Sequence, residues 1–265
     1  MDTAWRKQSI DSPLFEDIVW SRPEQKSLAG KLLVIGGNSH AIAAPSEAYQ
    51  LATKQGVGEV RVVLPDKTRK LLGPKVPVDI ELVTSTLSGS FSTKAERDMQ
   101  GFIAWANATL FAGDIGRNSE TAVLLEAIAQ KMPGQQIYTR DAIDYFYAHP
   151  HTLLERENTL IVVSIAQLQK LCMNARFETP ITFSMGLVAL CEALTRLTSR
   201  YKANVCVLEG STIITAAGGQ CVSTQLPSEP KQWRLKTATA ASVWWLQNPS
   251  RPLESIATAI TQLNW

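Results

Sequence analysis

The sequence lacks the patterns that mark several common classes of protein. No apolar run approaches the roughly 20 residues that a transmembrane helix needs, so a membrane protein is not indicated. It contains no Walker motif, no Gly-x-Ser-x-Gly elbow and no Gly-x-Gly-x-x-Gly fingerprint. A P-loop NTPase, an α/β-hydrolase and a Rossmann dinucleotide-binding protein therefore gain no support.

Cysteine and histidine are scarce, with four and three copies. The cysteines form no Cys-x-x-Cys pair and lie far from any histidine in the sequence: Cys172, Cys191, Cys206 and Cys221. A zinc site needs clustered ligands, so we predict no metal. A chain of this size needs no disulfide to be stable, and four reduced, buried thiols of a cytosolic protein are expected. His149 and His151 have no metal-like partner and are expected in a surface loop.

An excess of charge of either sign is also missing, since 26 Lys and Arg residues face 24 Asp and Glu residues. No basic cluster with interleaved aromatic residues appears, which argues against a nucleic-acid partner. The first residues contain no apolar core of the kind that a secretory signal has. We therefore expect a cytoplasmic protein without a membrane partner.

The sequence does contain a regular alternation of apolar and amphipathic segments. The apolar run 32–35 stops at Gly36-Gly37, which is typical of a parallel strand buried on both faces. Near the end, Ala217-Gly218-Gly219 separates two short apolar runs and predicts a β-hairpin. The alternation predicts an α/β fold with a mostly parallel sheet between two helical layers.

The predicted elements cover most of the chain. The predicted strands are 32–35, 59–64, 80–84, 108–112, 136–139, 160–163, 203–208, 211–215 and 220–224. The predicted helices are 45–55, 94–107, 119–131 with Ser119 as its cap, 182–200, 236–246 and 252–263. No linker interrupts them, so we expect one domain over 30–265, preceded by a surface segment over 1–29.

In an open parallel sheet, ligands bind beyond the carboxyl ends of the strands. The predicted turns at this edge are Gly36-Gly37, Gly113-Asp114, Thr139-Arg140-Asp141 and Glu209-Gly210. For Gly36-Gly37 with Asn38, a ligand contact and a tight strand-to-helix turn are equally favoured. Asp114 more simply lies in a solvated loop, and Asp141 more simply caps the following helix. A candidate site thus consists of several turns that the fold must bring together.

A specific resemblance begins at the first of these turns. In order, Gly36, Gly37, Ala44-Pro45, Gly56 and Gly58 match a strand, Gly-Gly-Ser, Gly-Ala-Pro, helix, Gly-x-Gly pattern. The chain thereby resembles the ADP/ATP-dependent NAD(P)H-hydrate dehydratases, a ribokinase-like family related to carbohydrate kinases. The resemblance implies a three-layer α/β/α ribokinase-like fold, with ATP or ADP used to repair hydrated NADH or NADPH.

Later landmarks of the family are present in a weaker form. Residues 112–117 resemble a Gly-Pro-Gly-Leu-Gly turn, and Asp141 matches the second aspartate of Asp-Ala-Asp-x-Leu. Glu209-Gly210 stands in place of a Lys-Gly pair. The substrate-binding candidates implied by the resemblance are Gly36, Gly37, Asn38, Ala44, Asp114 and Asp141. The nucleotide-binding candidates are Glu209, Gly210 and Thr239.

The family's Gly-Thr-Gly-Asp signature, at the start of the penultimate helix, is missing. The best match places Ala238-Thr239-Ala240-Ala241 on it, so that Ala241 replaces the catalytic aspartate. Alanine disfavours the positive φ that glycine adopts, and its methyl group cannot accept a proton. The nearby Lys231, Arg234 and Lys236 are interpreted as an exposed helix start, with an anion contact as the alternative.

Three functional hypotheses follow. The leading one is a divergent dehydratase homologue that has lost or reduced catalysis but still binds a small ligand, such as a nucleotide or NAD(P)H-like molecule. The second is an active dehydratase or small-molecule kinase in which Asp114 or Asp141 serves as the base. The third is a homo-oligomeric scaffold with an interface that contains Trp244, Trp245 and Trp265; relatives are often homo-oligomers, so we expect one here.

Overall fold

A ten-stranded sheet forms the middle layer of the structure, a computed structural model that describes residues 4–265. The strands are β1 (Trp5–Ser9), β2 (Lys31–Gly36), β3 (Glu59–Pro65), β4 (Ile80–Val83), β5 (Ala108–Gly113), β6 (Gln135–Thr139), β7 (Thr159–Val162), β8 (Asn204–Glu209), β9 (Thr212–Ala217) and β10 (Gln220–Gln225). Their spatial order is β1-β10-β9-β8-β7-β6-β5-β2-β3-β4. Only β9 pairs in antiparallel fashion, with β8 and β10, so the predicted mostly parallel sheet and late hairpin are confirmed.

Helices cover both faces of this sheet. They are α1 (Glu16–Trp20), α2 (Ala43–Lys54), α3 (Arg69–Leu72), α4 (Ala95–Trp105), α5 (Ser119–Lys131), α6 (His151–Leu154), α7 (Ile165–Asn174), α8 (Leu187–Arg200), α9 (Trp233–Gln247) and α10 (Pro252–Thr261). One buried cluster joins the sheet to α4, α5, α7 and α8, and the other joins it to α2, α9 and α10. The predicted three-layer α/β/α architecture is therefore confirmed.

Two helices differ from their predictions. The helix predicted over 182–200 begins only at α8, where Gly186 has an extended backbone and precedes the first turn. The segment 165–174, for which no helix was predicted, forms α7. Its start is stabilised by a capping box, in which Ser164 Oγ accepts from the Gln167 backbone N–H and the Gln167 side chain accepts from Ser164 N–H.

The N-terminal segment contributes a strand to the sheet. β1 runs parallel to β10, with Trp5 opposite Cys221 and Ser9 opposite Gln225. Gln8 Nε2 also donates to Thr224 Oγ1 and to the Ala257 carbonyl, both at 2.9 Å. The segment thus lies in the edge of the sheet as well as along its surface. A domain boundary between residues 29 and 30 stays a prediction.

Tryptophans and cysteines lie mostly inside the fold. Trp244 and Trp245 are 2% and 1% exposed, which corrects their proposed place in an interface. Trp265 is partly buried, and its ring N–H donates to the Ile260 carbonyl. All four cysteines are buried and free, as predicted. Within residues 4–265 we find no helix with the length and hydropathy of a membrane span.

The cap of α5 is Asn118 rather than the predicted Ser119. The Asn118 side chain accepts from the backbone N–H groups of Glu120 and Thr121, whereas Ser119 is the first helical residue. The side chain one residue earlier has the geometry to reach these N–H groups, which have no partner inside the helix.

Removal of this cap gives a test of the assignment. We expect Asn118→Ala to lower the free energy of unfolding by about 1 kcal/mol, because two helix-start N–H groups lose their acceptor. Ser119→Ala is the matched control and is expected to change it by less than about 0.5 kcal/mol. Urea denaturation of both variants measures the difference. A larger loss in Ser119→Ala than in Asn118→Ala would contradict the cap.

Candidate functional site

The site lies at the carboxyl edge of the sheet. β2, β5, β6, β7 and β8 are successive parallel neighbours, so their carboxyl ends meet at one edge. At this edge β2 and β5 approach very closely, and a Cβ atom on Gly36 would lie 2.6 Å from the Gly113 carbonyl oxygen. The chain then turns at Gly37 with φ +81°, a conformation that favours glycine. The Gly-Gly pair is thus required by a close approach and a turn.

Asp114 connects the ends of several elements. Its Oδ2 accepts from the Ala44 N–H at 2.7 Å in the first turn of α2, and its Oδ1 pairs with Arg140 Nη2 at 2.7 Å. Its carbonyl oxygen accepts from Asn38 Nδ2 at 2.6 Å. The side chain is only 11% exposed, and the backbone has φ +57°, which aspartate tolerates better than most residues. The predicted candidates Asn38, Ala44 and Asp114 are thus together, mainly in contact with each other.

Asp141 lies beside this group. Its Oδ2 accepts from the Gly116 N–H at 3.0 Å, and its Oδ1 is buried with no hydrogen-bond partner. Burial raises the pKa of Asp141, and the negative charge of Asp114 adds to the increase. Gly113, with φ +101°, leaves room for this side chain, because a Cβ atom there would lie 2.8 Å from Asp141 Oδ1.

A cleft of about 670 Å³ opens next to these two carboxylates. Its lining comes from the ends of β5 and β6, the helix α7, and the start of α9. The lining residues are Asp114, Arg140, Asp141, Asp144, Gln167, Gln232, Trp233, Arg234 and Leu235. Two of the six predicted substrate-binding residues, Asp114 and Asp141, therefore face the cleft.

Gln167 is the centre of the polar wall of the cleft. Its Nε2 donates to the Arg140 carbonyl at 2.7 Å and to Asp144 Oδ1 at 2.9 Å. Its Oε1 accepts from Arg234 Nη1 at 2.8 Å. Asp144 Oδ1 also accepts from the Tyr147 hydroxyl. Burial raises the pKa of the Tyr147 phenol, and this hydrogen bond to Asp144 raises it further. The amide therefore connects two arginines and a carboxylate in one network.

Arg234 is not part of an exposed helix start, which corrects that interpretation. Its side chain is half-buried in the cleft, and desolvation lowers the pKa of its guanidinium. The flanking Trp233 and Leu235 are 9% and 4% exposed and lie in the core beneath. Lys231 is exposed before the helix, and Lys236 lines a neighbouring groove.

The predicted place of the lost signature needs correction. Ala238, Thr239, Ala240 and Ala241 lie inside α9 and are 0% exposed, because α9 packs there against the sheet. Thr239 therefore cannot contact a nucleotide in this structure. The penultimate helix begins at Trp233, so the residues at its start are Gln232, Trp233, Arg234 and Leu235. None of them is a glycine or an aspartate, and the signature is missing at this position too.

The other two nucleotide-binding candidates lie outside the cleft lining. Glu209 ends β8 at the same edge of the sheet and is partly exposed. Gly210 is exposed, with φ +57°, in the turn to β9. Neither belongs to the wall made by β5, β6, α7 and α9.

Sequence reasoning missed Asp144 and Gln167, and it kept a ligand contact of Arg234 only as the alternative to an exposed helix start. A signal for Gln167 exists, because Ser164-Ile165-Ala166-Gln167 has the Ser-x-x-Gln spacing of a capping box. Asp144 follows Asp141 by three residues, a spacing that places both on one side of the short 3₁₀ helix Arg140–Phe146. For Arg234 no sequence signal distinguishes a cleft-facing arginine from a solvated one.

Comparison with known proteins shows similarity at the level of structure. A ribokinase-like superfamily protein from Enterococcus faecalis superposes with a TM-score of 0.73 at 16% identity, over 98% of this chain and 86% of that chain. The fold is ribokinase-like. An ADP/ATP-dependent NAD(P)H-hydrate dehydratase from Bacillus subtilis, co-crystallised with ATP and Mg²⁺, gives a TM-score of 0.62 at 13% identity, over 94% and 86%.

A vitamin kinase shares the ribokinase-like fold as well. The pyridoxal kinase from Staphylococcus aureus, in complex with AMP-PCP and pyridoxal, gives a TM-score of 0.55 at 11% identity, over 87% and 85%. Sequence comparison finds no matching family model and no matching curated protein. The predicted ribokinase-like fold is confirmed, while identities this low show the fold alone.

The contacts of Asp114 predict a structural effect of its removal. Asp114→Ala is expected to lower the free energy of unfolding by about 1.5–3 kcal/mol, because the Ala44 N–H and the Arg140 guanidinium lose a charged acceptor. Asp11→Ala, at an exposed position, is the control and is expected to have little effect. Urea denaturation measures both, and similar losses in the two variants would contradict a connecting role for Asp114.

The raised pKa of Asp141 predicts a pH dependence. The folded chain keeps this proton to a higher pH than the unfolded chain, so it binds more protons in the window between the two pKa values. Stability from this group therefore falls as the pH rises from the ordinary aspartate value through the raised one. We expect Asp141→Asn, which stays neutral, to gain stability relative to the wild type across that window. Denaturation at a series of pH values tests this, and parallel profiles would contradict it.

Proposed function

We propose that this chain is a divergent homologue of the NAD(P)H-hydrate dehydratases that has lost or greatly reduced catalysis and still binds a small ligand. The observation that carries the proposal is the start of α9. There, Gln232, Trp233, Arg234 and Leu235 stand where the resemblance implies Gly-Thr-Gly-Asp.

The residues at the start of α9 do not suit the family's phosphate cradle. Such a cradle needs glycines, so that backbone N–H groups can close on phosphate oxygens, and an aspartate that acts as base. Trp233 and Leu235 instead bury their side chains in the core, and Arg234 carries a positive charge into the cleft. No residue at this helix start accepts a proton from a reacting group.

The contacts of Asp114 support reduced catalysis. Both oxygens of Asp114 accept hydrogen bonds, one from the Ala44 N–H and one from Arg140. Both oxygens are thus engaged in contacts that hold α2 and Arg140 in place. The Asp114 carboxylate therefore serves the structure better than it would serve proton transfer.

Retained ligand binding is supported by the cleft itself. Its volume of about 670 Å³ falls within the range of roughly 300–1,000 Å³ that small-molecule sites occupy. It lies at the carboxyl edge of the sheet, where open α/β folds bind ligands. A Bacillus subtilis protein of this fold was co-crystallised with ATP and Mg²⁺, which makes nucleotides the first ligands to try.

One observation favours the active alternative. Asp141 has a raised pKa and an oxygen without a hydrogen-bond partner, properties that a general base shares. In that alternative, an active dehydratase or small-molecule kinase would use Asp141 as its base.

The assay for the proposal is NADH regeneration from hydrated NADH, with ATP or ADP and Mg²⁺. We expect a rate at background, with the Bacillus subtilis enzyme as positive control. Robust regeneration would overturn the proposal, and its loss in Asp141→Asn would then support the alternative.

Ligand binding is measured separately by thermal denaturation with ATP, ADP, NADH or NADPH. A ligand specific for the folded state adds about 2.7 kcal/mol of stability at a concentration of 100 times its Kd. We expect at least one of the four to raise Tm. No rise with any of them would contradict retained binding of a nucleotide.

A further inference from the structure

We propose that Arg234 binds an anionic group, a phosphate or a carboxylate, of the ligand that occupies the cleft, with Arg140 as the second cation facing it. The inference rests on the proposed ligand-binding function and names the chemistry that the cleft recognises.

The charge of Arg234 has no ionic partner among the described residues 4–265. A guanidinium has five N–H donors, and the one side-chain hydrogen bond of Arg234 goes to Gln167 Oε1, a neutral amide oxygen. Arg140, in contrast, is paired with Asp114 at 2.7 Å. Among residues 4–265, no salt bridge includes Arg234, so its charge and most of its donors are left for another acceptor.

Partial burial makes the unpaired charge of Arg234 unfavourable. Arg234 is half-buried, and desolvation lowers the pKa of its guanidinium, which the nearby charge of Arg140 lowers further. Asp144 and Asp141 act in the opposite direction but lie beyond direct pairing distance. A partly desolvated cation without a direct partner is unfavourable, and an anion that enters the cleft would offset this cost.

Gln167 holds the Arg234 guanidinium in a fixed position. Gln167 is held by the capping box of α7 and donates to the Arg140 carbonyl and to Asp144. Both of its amide hydrogens are therefore used, and its oxygen is directed at Arg234. A side chain oriented before the ligand arrives loses less conformational entropy on binding.

The charges that line the cleft indicate the class of ligand. Asp114, Asp141 and Asp144 line it together with the two arginines. Since Asp114 already pairs with Arg140, Arg234 is the cation of this lining without a salt bridge among residues 4–265, and Arg140 adds a weaker, partly compensated charge. The other carboxylates favour hydrogen-bond donors on the rest of the ligand. The class that fits is a small molecule with one anionic group and neighbouring hydroxyl or amino groups.

Calorimetric titration and thermal denaturation of the full chain test this, with inorganic phosphate, acetate and ADP as probes at constant ionic strength. We expect wild-type protein to bind phosphate or acetate, and ADP more tightly than adenosine. Arg234→Gln is expected to weaken anion binding by roughly tenfold to a hundredfold, because a charge-assisted hydrogen bond is lost. Arg234→Lys is expected to retain part of the affinity, since it keeps the charge but loses the fork of donors.

The matched control is Lys231→Gln, which removes the same charge three residues away, at an exposed position outside the cleft lining. It is expected to bind like the wild type. Circular dichroism and the Tm without ligand establish that each variant folds. The proposal is overturned if wild-type protein binds none of the anions, or if Lys231→Gln reduces binding as much as Arg234→Gln does.

The two proposals fail in different ways. Nucleotide binding that is equal in the wild type and Arg234→Gln would remove the role of Arg234 and leave the proposed function intact. Phosphate or acetate binding that depends on Arg234, without any effect of the nucleotides, would support Arg234 and contradict a nucleotide ligand.

Discussion

The carboxylate of Asp114 holds the functional edge of this sheet together. It accepts from the first turn of α2 with one oxygen and pairs with Arg140 with the other. Its own position depends on the close approach of β2 and β5, where Gly36 has no Cβ to displace the Gly113 carbonyl. Since Arg140 follows β6 directly, the Asp114 side chain connects the ends of β5 and β6 with the start of α2. The Asp114 carbonyl adds the end of β2, because it accepts from Asn38. The wall of the cleft is built on that connection.

The helix α9 closes the cleft by packing, without glycine or aspartate at its start. α9 packs against β5, β6, β7 and α2, and its alanines at 238, 240 and 241 are 0% exposed. Small residues allow a helix to lie close to a sheet, so these positions serve packing in this structure and do not contact a ligand. The start of the helix is under a different constraint, because Trp233 and Leu235 anchor it in the core and leave Arg234 between them, facing the cleft.

Much of the fold follows from local sequence, because buried parallel strands are apolar runs that stop at glycine or a polar turn. The strands over 32–35 and 108–112 are found in this way, and their neighbouring turns come together since parallel strands share an edge. The start of α9 could not be predicted from local sequence in this way. Alanine and threonine match the small residues of a Gly-Thr-Gly-Asp motif by size, whereas the true helix start is fixed by the burial of Trp233, a tertiary effect. The place of Arg234 in the cleft could not be predicted from local sequence either, because its side chain is held by Gln167, 67 residues away.

The chemistry of the cleft follows from which carboxylates are already engaged. Both oxygens of Asp114 are engaged, one by Ala44 and the other by Arg140, whereas Tyr147 and Gln167 both contact the same oxygen of Asp144. Asp141 keeps one oxygen without a partner, yet that oxygen is buried against Gly113 rather than presented to the cleft centre. Arg234 differs from Arg140 in the same wall, because no salt bridge among residues 4–265 includes Arg234 and its side chain still reaches solvent. A guanidinium without an ionic partner, held in place by Gln167, supports the proposed binding of an anion.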